Sequence, residues 1–176
     1  KKIERWLAQD PDPKTRNAIE ALVRANDSKQ LEALFYGRLA FGTAGLRAQV
    51  GPGPNRMNRL VVRQTSYGLG WYLSHIMVGA QRNGVVVGYD ARLDSRAFAE
   101  EAACALASLG FRVHLFPVAV PTPVCAFAVV HLKAAAGVVV TASHNPPADN
   151  GYKVFWHDGA QITSPHDAGI ASAIEY

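Results

Sequence analysis

Gly84-Val85-Val86-Val87-Gly88-Tyr89 and Ala136-Gly137-Val138-Val139-Val140-Thr141-Ala142 are the stretches that decide the fold. Each is almost wholly apolar and too short for an independent helix. Neither alternates polar with apolar residues, so each reads as a strand buried on both faces, as in a parallel sheet. Between them the chain reads as helix, strand and helix. Ser95 to Leu109 is a helix with Phe98, Ala102, Ala105, Leu106 and Leu109 inward, ended by Gly110 just past its cap. Phe111 to Phe116 is a strand. Thr122 caps and Pro123 opens a helix running to Lys133. Such alternation builds right-handed β-α-β units. Tyr152 to His157 reads as a further strand turned by Asp158-Gly159, and Pro165 to Tyr176 as a last helix with Ser164 as N-cap. The predicted class is α/β: a three-layer sandwich with a mostly parallel mixed sheet flanked by helices and preceded by N-terminal helices.

Upstream the texture differs. Ile3 to Ala8 is a short amphipathic piece stopped by Asp10-Pro11-Asp12-Pro13, which reads as a capping turn and not a metal motif. Thr15 to Ala25 repeats Ile19, Leu22 and Val23 at helical spacing, and Ser28 caps a helix from Lys29 to Tyr36. From Leu39 to Asn55 the glycines and prolines predict a long irregular loop. Asn58 then caps a helix from Arg59 to about Val78, with Val61, Leu69, Tyr72 and Ile76 as its buried stripe and Gly68-x-Gly70 as packing glycines. The expected division is a helical extension over 1–40 and an α/β domain over 41–176.

Composition excludes several classes. With 176 residues, 49% hydrophobic and 18% charged, the chain buries a core of its own and is not disordered. Cys104 and Cys125 form no framework or C-x-x-C pair, and both read as small core residues in a reducing, cytoplasmic setting. No apolar run reaches the length of a membrane span, and Lys1 to Trp6 lacks a signal peptide's apolar stretch. The net charge is +4, yet no Asp or Glu stands between Ala33 and Tyr89, where Arg38, Arg47, Arg56, Arg59, Arg63 and Arg82 do. A solvated basic face accounts for most of these. Forked guanidinium groups also suit a small oxyanion, phosphate above all. No basic helix, RNA-binding signature or zinc finger points to nucleic acid.

Ligands of open α/β sheets bind beyond the carboxyl ends of the strands. Asp90-Ala91-Arg92 follows the first apolar strand, and Thr141-Ala142-Ser143-His144-Asn145-Pro146 follows the third, with Lys153 reached through Asp149-Asn150-Gly151-Tyr152. A serine, a histidine, a lysine and one or more arginines thus converge on one crevice. That set suits phosphoryl transfer to and from a serine oxygen, with cations neutralising charge and His or Lys moving protons. A serine hydrolase is disfavoured, because the G-x-S-x-G elbow is absent and a histidine adjacent to the serine is badly placed to take its proton.

The string from Thr141 to Lys153 resembles the phosphoserine loop of the α-D-phosphohexomutase superfamily. Phe41-Gly42-Thr43-Ala44-Gly45-Leu46-Arg47 resembles that family's N-terminal arginine motif. Gly88-Tyr89-Asp90-Ala91-Arg92 resembles its strand-end signature, although Tyr89 stands where many members have arginine, and Pro121-Thr122-Pro123 is a further shared element. Trp6-Leu7, the wording FGTAGLR, and DNGYKVFW followed by GAQITSPHD resemble the branch containing phosphopentomutase, glucose-1,6-bisphosphate synthase and related bacterial phosphoglucomutases and phosphomannomutases.

The resemblance implies that Ser143 carries a phosphoryl group, gives it to a sugar monophosphate and takes back the other phosphate of the resulting bisphosphate. It implies catalytic roles for Ser143, Lys153, Arg47 and His144. Thr43, Arg47, Ser143, His144, Asn145 and Lys153 would bind phosphate or substrate, and Asp90, Arg92 and Asn150 would support the site. It further implies Mg²⁺, held through the Ser143 phosphate and an acidic D-G-D-G-D-R type loop that is absent from this chain, and a sugar bisphosphate such as glucose 1,6-bisphosphate as activator. The expected partners are a sugar phosphate and remaining domains of the same polypeptide, with no nucleic acid and no membrane. Transfer between C1 and C6, of phosphoglucomutase/phosphomannomutase type, is the first expectation. Phosphopentomutase (C1 and C5) or sugar-bisphosphate synthase is the alternative, and a non-catalytic phosphosugar-binding domain is the alternative from another class. The chain alone is expected to be inactive as a mutase.

Overall fold

The computed structural model describes residues 1–43 and 45–175. Ala44 of the glycine-rich motif and Tyr176, expected to close the last helix, lie outside the described residues. Three N-terminal helices, α1 (Lys2–Gln9), α2 (Pro13–Arg24) and α3 (Ser28–Phe35), precede β1 (Leu46–Gln49) and the long α4 (Arg59–Ile76). There follow α5 (Ala80–Asn83), β2 (Val85–Tyr89), α6 (Ser95–Ser108), β3 (Val113–Leu115), α7 (Thr122–His131), β4 (Ala136–Val140), β5 (Asp149–Trp156) and α8 (His166–Glu175).

The sheet order is β1-β5-β4-β2-β3. Its centre is parallel, with Val85 opposite Val113 on one side and Ala136 on the other. The β5 strand runs antiparallel to both β4 and β1, so the sheet is mixed.

Side chains alternate across a strand, and here each alternate set meets a different layer. Val85, Val87, Tyr89, Val138, Val140, Tyr152 and Val154 face one large core with α4 and α6, which also takes in Trp6, Ile19 and Phe35 from the N-terminal helices. Val86, Val139 and Phe155 face Cys125 and Val129 of α7. Both faces of β2 and β4 are therefore buried, which explains their unbroken valines. Gly88 and Gly137 lie on the α7 side, where a Cβ would press on Cys125 and Val129 respectively. The small residues let α7 approach closely, and burial pushes the Cys125 thiol up to about 12.

Helix starts follow their caps. Asp12 accepts from the Lys14 amide at 2.9 Å, and Asp10 accepts from the Asp12 amide and the Thr15 hydroxyl, so the Asp10–Asp12 stretch is a capping turn as expected. Asn58 accepts from the Val61 amide at 2.9 Å and donates to the Gly51 and Gly53 carbonyls, tying the preceding loop to α4. Gly68 and Gly70 are packing glycines, each facing side chains that a Cβ would strike.

The structure corrects several expectations. Asp27, not Ser28, caps α3, because its carboxylate reaches the Gln30 amide. Pro121 occupies the N-cap of α7, with Thr122 already helical and making no cap bond, and the helix stops at His131, not Lys133. Ile76 and Leu109 sit at helix ends beyond the core and are 47% and 37% exposed. Cys104 is exposed on the outer side of α6, whereas Cys125 is buried. The loop expected over 39–55 contains β1, a four-residue edge strand. The strand expected over 111–116 is limited to β3, and α5 was not expected. Among the described residues no helix is long and apolar enough to cross a membrane.

Candidate active site at the carboxyl end of the sheet

The chain leaves β4 at Val140 and returns into β5 at Asp149, so residues 141–148 form a loop above the carboxyl end of the strand. Ser143 sits there in the left-handed region, with φ +57°. A non-glycine residue in that region costs about 1 kcal/mol and marks a turn that its surroundings enforce. The Ser143 amide donates to the Thr141 hydroxyl at 3.0 Å. The Ser143 and His144 side chains are exposed, and neither makes a side-chain hydrogen bond among the described residues.

Arg92 holds this loop from behind. Its Nη1 donates to the carbonyls of Pro146 at 2.8 Å and Asp149 at 3.1 Å. Its Nη2 donates to the carbonyls of Ser143 at 2.8 Å and Asn145 at 2.7 Å. Its Nε lies 3.3 Å from Asp90 Oδ2. Asp90 Oδ1 in turn accepts from the Arg92 amide and from Ser95 Oγ. Buried Asn150 donates to Ser95 Oγ and the Leu93 carbonyl and accepts from the Gly151 amide. Asp90, Arg92 and Asn150 lie in one polar chain that wires the end of β2 and the start of α6 to β5 and the serine loop.

In front stand the cations. Arg47 on β1 lies opposite Gly151 in the register, and Lys153 lies two residues further along β5, on the same face as Arg47 by alternation. That face is the one α7 covers elsewhere. Arg47 Nη1 donates to Asn145 Oδ1 at 3.0 Å, and Asn145 Nδ2 donates to Asp149 Oδ2 at 2.8 Å, which fixes the amide's orientation. Burial and the Arg47 guanidinium hold the Lys153 amine below its ordinary range, while Asp90 opposes the shift. Arg47→Gln is therefore expected to raise the Lys153 pKa, since one neighbouring cation is gone, but to leave it below the ordinary lysine value because burial remains. A pH titration of the Lys153 side chain by NMR reads this directly; an unchanged titration would separate the two groups.

Glycines set the close approaches. A Cβ on Gly151 would meet the carbonyls of Leu46 and Thr141, each at 2.7 Å. The turn before β1 is closed by the Gly45 amide on the Gly42 carbonyl at 2.7 Å, and Gln161 Nε2 holds the Thr43 carbonyl at 2.8 Å. Thr43 itself is exposed.

The arginine-rich, acid-free segment is dispersed. Arg59 and Arg63 of α4 both pair with Glu101 of α6, which is only 4% exposed. Arg56 donates to Asn55. Arg38 lines a cavity of about 550 Å³ with Trp6 and Phe35, to which no residue of the serine loop contributes among the described residues. Of the six, Arg47 reaches the serine loop, through Asn145, and Arg92, which lies outside that segment, is committed to the backbone and Asp90. The sequence offered a signal for the support in the spacing Asp90, Arg92 and Ser95, but no signal for the direction in which Arg92 points.

Among the described residues no group of three or more His, Cys, Asp or Glu side chains is placed to hold a metal ion. On the serine loop Arg47 is bonded to Asn145, and the nearby carboxylate of Asp149 is engaged by Asn145. The described residues do not by themselves fit a Mg²⁺ site.

A serine exposed on a loop at a strand's carboxyl end, with Arg47 bonded to that loop through Asn145 and Lys153 on the same sheet face as Arg47, is a set of groups suited to handling a phosphoryl group. Residues 38–176 match the family described as phosphoglucomutase/phosphomannomutase, alpha/beta/alpha domain I. The chain is 46% identical over 176 residues to the phosphopentomutase of Homo sapiens, covering 97% of this chain and 29% of that protein. It is 45% identical over 179 residues to the glucose 1,6-bisphosphate synthase of Mus musculus, covering 98% and 29%. The solved phosphoglucomutase/phosphomannomutase family protein of Burkholderia thailandensis aligns with a TM-score of 0.65 at 27% identity, over 79% of this chain and 30% of that one. The chain belongs to the phosphoglucomutase/phosphomannomutase family, within the phosphohexomutase superfamily, and spans about 29% of the length of the curated relatives named here.

Proposed function

We propose that this chain is the phosphoserine-bearing domain of a phosphosugar mutase, with 1–40 as its helical extension and 41–176 as the domain proper. The observation that carries the reading is an exposed Ser143 on an enforced left-handed turn, with Arg47 and Lys153 on the adjoining sheet face.

Phosphorylated Ser143 gives its phosphoryl group to a hydroxyl of a sugar monophosphate. The bond from Ser143 Oγ to phosphorus breaks, the bond from the sugar oxygen to phosphorus forms, the sugar hydroxyl gives up its proton to a basic group, and the departing Ser143 Oγ takes up a proton. The sugar bisphosphate turns round, its other phosphoryl group returns to Ser143 Oγ as that hydroxyl gives up its proton, and the sugar oxygen left behind is protonated. Little covalent work falls to the protein, so positioning and charge neutralisation dominate. Arg47 offers a forked donor to the moving phosphoryl oxygens. Lys153, held below its ordinary pKa, is suited to proton transfer in either direction. His144, Thr43 and Asn145 line the approach for substrate. Further domains of the same polypeptide would supply the loops that read the sugar and the acidic ligands for Mg²⁺, and a sugar bisphosphate such as glucose 1,6-bisphosphate would load the serine.

A C1–C6 exchange on a hexose phosphate is the first reading. Identity of 45–46% to a phosphopentomutase and a glucose 1,6-bisphosphate synthase favours a second, in which the acceptor is a pentose phosphate or the bisphosphate is the product. A panel of glucose, mannose and ribose 1-phosphates, assayed on the full polypeptide with Mg²⁺ and glucose 1,6-bisphosphate, separates these. The 176-residue chain by itself is expected to give no mutase turnover. Turnover by the chain alone on the order of 1–10³ s⁻¹ would contradict the need for further domains. Binding without any transfer by the full polypeptide would favour a non-catalytic phosphosugar-binding role.

A further inference from the structure

We propose that Arg92 is the positioning residue of the serine loop. It turns the loop's carbonyl oxygens inward, so that a phosphoryl group at Ser143 meets the uncommitted backbone N–H of His144. The inference rests on the reading of Ser143 as phosphoryl carrier and deepens it.

Donor accounting carries the first half. A guanidinium has five N–H donors in a fixed fork. Four lie on the carbonyls of Ser143, Asn145, Pro146 and Asp149, and the fifth faces Asp90. None is left for a ligand, so Arg92 acts through the loop. Its own aim is fixed from the other side, because Asp90 is held by Ser95, and Ser95 by Asn150.

Peptide planarity carries the second half. In a trans peptide the carbonyl and the following N–H point in opposite directions. The Ser143 carbonyl is directed at Arg92, so the His144 N–H is directed away from it. That N–H makes no hydrogen bond among the described residues. Its neighbours offer no substitute: the Ser143 amide is spent on Thr141, the Asn145 amide on the Ala142 carbonyl, and Pro146 and Pro147 have no N–H. Left to relax, the loop would be free to turn carbonyl oxygens toward the phosphoryl oxygens, where like partial charges repel. Arg92 removes that option and holds Ser143 at its positive φ.

The test has two arms on wild type, R92A and R92K. In the first, the chain is titrated with inorganic phosphate and the His144 amide is followed by NMR. It is expected to shift in wild type and to lose most of that response in R92A. In the second, labelling of Ser143 from glucose 1,6-bisphosphate is timed on the full polypeptide. R92A is expected to be slowed about 10²-fold, as for a small misplacement of a reacting group, with the loss in kcat more than in KM. R92K, with three donors for five acceptors, is expected to recover little, and free guanidinium ion is expected to restore part of the R92A rate. Unchanged labelling in R92A, or a loss that tracks a fall in Tm and ignores guanidinium, overturns the proposal. If wild type is never labelled, the carrier reading fails, and the phosphate titration still decides whether Arg92 sets the loop.

Discussion

Ser143→Ala is expected to lower mutase turnover of the full polypeptide by more than about 10³-fold while leaving its stability within about 0.5 kcal/mol. The size of the loss follows from chemistry. Alanine has no oxygen to carry a phosphoryl group. The small effect on stability follows from the surroundings: Ser143 is exposed and its hydroxyl makes no hydrogen bond among the described residues, while the contacts that hold the turn are backbone contacts to Arg92 and Thr141. Ser143→Gly removes the same oxygen and relieves the positive φ, so it should be equally inactive. Retention of more than a few per cent of turnover by either variant would count against Ser143 as the carrier. Circular dichroism and a thermal melt on the same samples would establish that the fold is intact.

Gly45→Ala is expected to be the most damaging single methyl group in the site region. Gly45 has φ +74°, and a Cβ there would overlap the Tyr152 carbonyl oxygen, which is backbone and cannot swing away. Strain from the left-handed conformation and overpacking together give a destabilisation of about 3 kcal/mol. Gly37, at φ +77° with nothing within 4 Å, isolates the first contribution, and Gly37→Ala should cost only about 1 kcal/mol. Urea unfolding of both variants measures the difference as a shift in midpoint at constant slope. Equal shifts would mean that the close approach of the glycine-rich turn to β5 does not matter. Arg47 stands two residues from Gly45, so Gly45→Ala should also weaken phosphate binding at the Arg47 face.

The legible parts of the fold were those whose environment is symmetric. The β2 and β4 strands are buried on both faces, so their valines are written without interruption. The β1 strand was not legible. Its four residues, Leu46, Arg47, Ala48 and Gln49, include one buried apolar side chain, and its partner β5 lies about 100 residues away, so nothing local records the pairing. The helix ends shifted by one or two residues where two capping residues competed, as with Asp27 and Ser28. For the candidate site, the string from Thr141 to Lys153 marks Ser143, and the glycine-rich motif marks Arg47, as candidates. The sequence did not reveal that Arg92 faces the backbone and not the ligand, because an arginine's direction is set by tertiary carbonyls that no spacing encodes. The same holds for Arg59 and Arg63, whose charge suggested an anion and whose partner is Glu101, about 40 residues further along the chain.

Whether Ser143 accepts and donates a phosphoryl group is decided by exposing the wild-type polypeptide to glucose 1,6-bisphosphate labelled in its phosphates and mapping the label to a residue. The expected result is label on Ser143 that is discharged when unlabelled sugar monophosphate is added. Label on another residue, or tight binding of the bisphosphate with no label on Ser143, would contradict it.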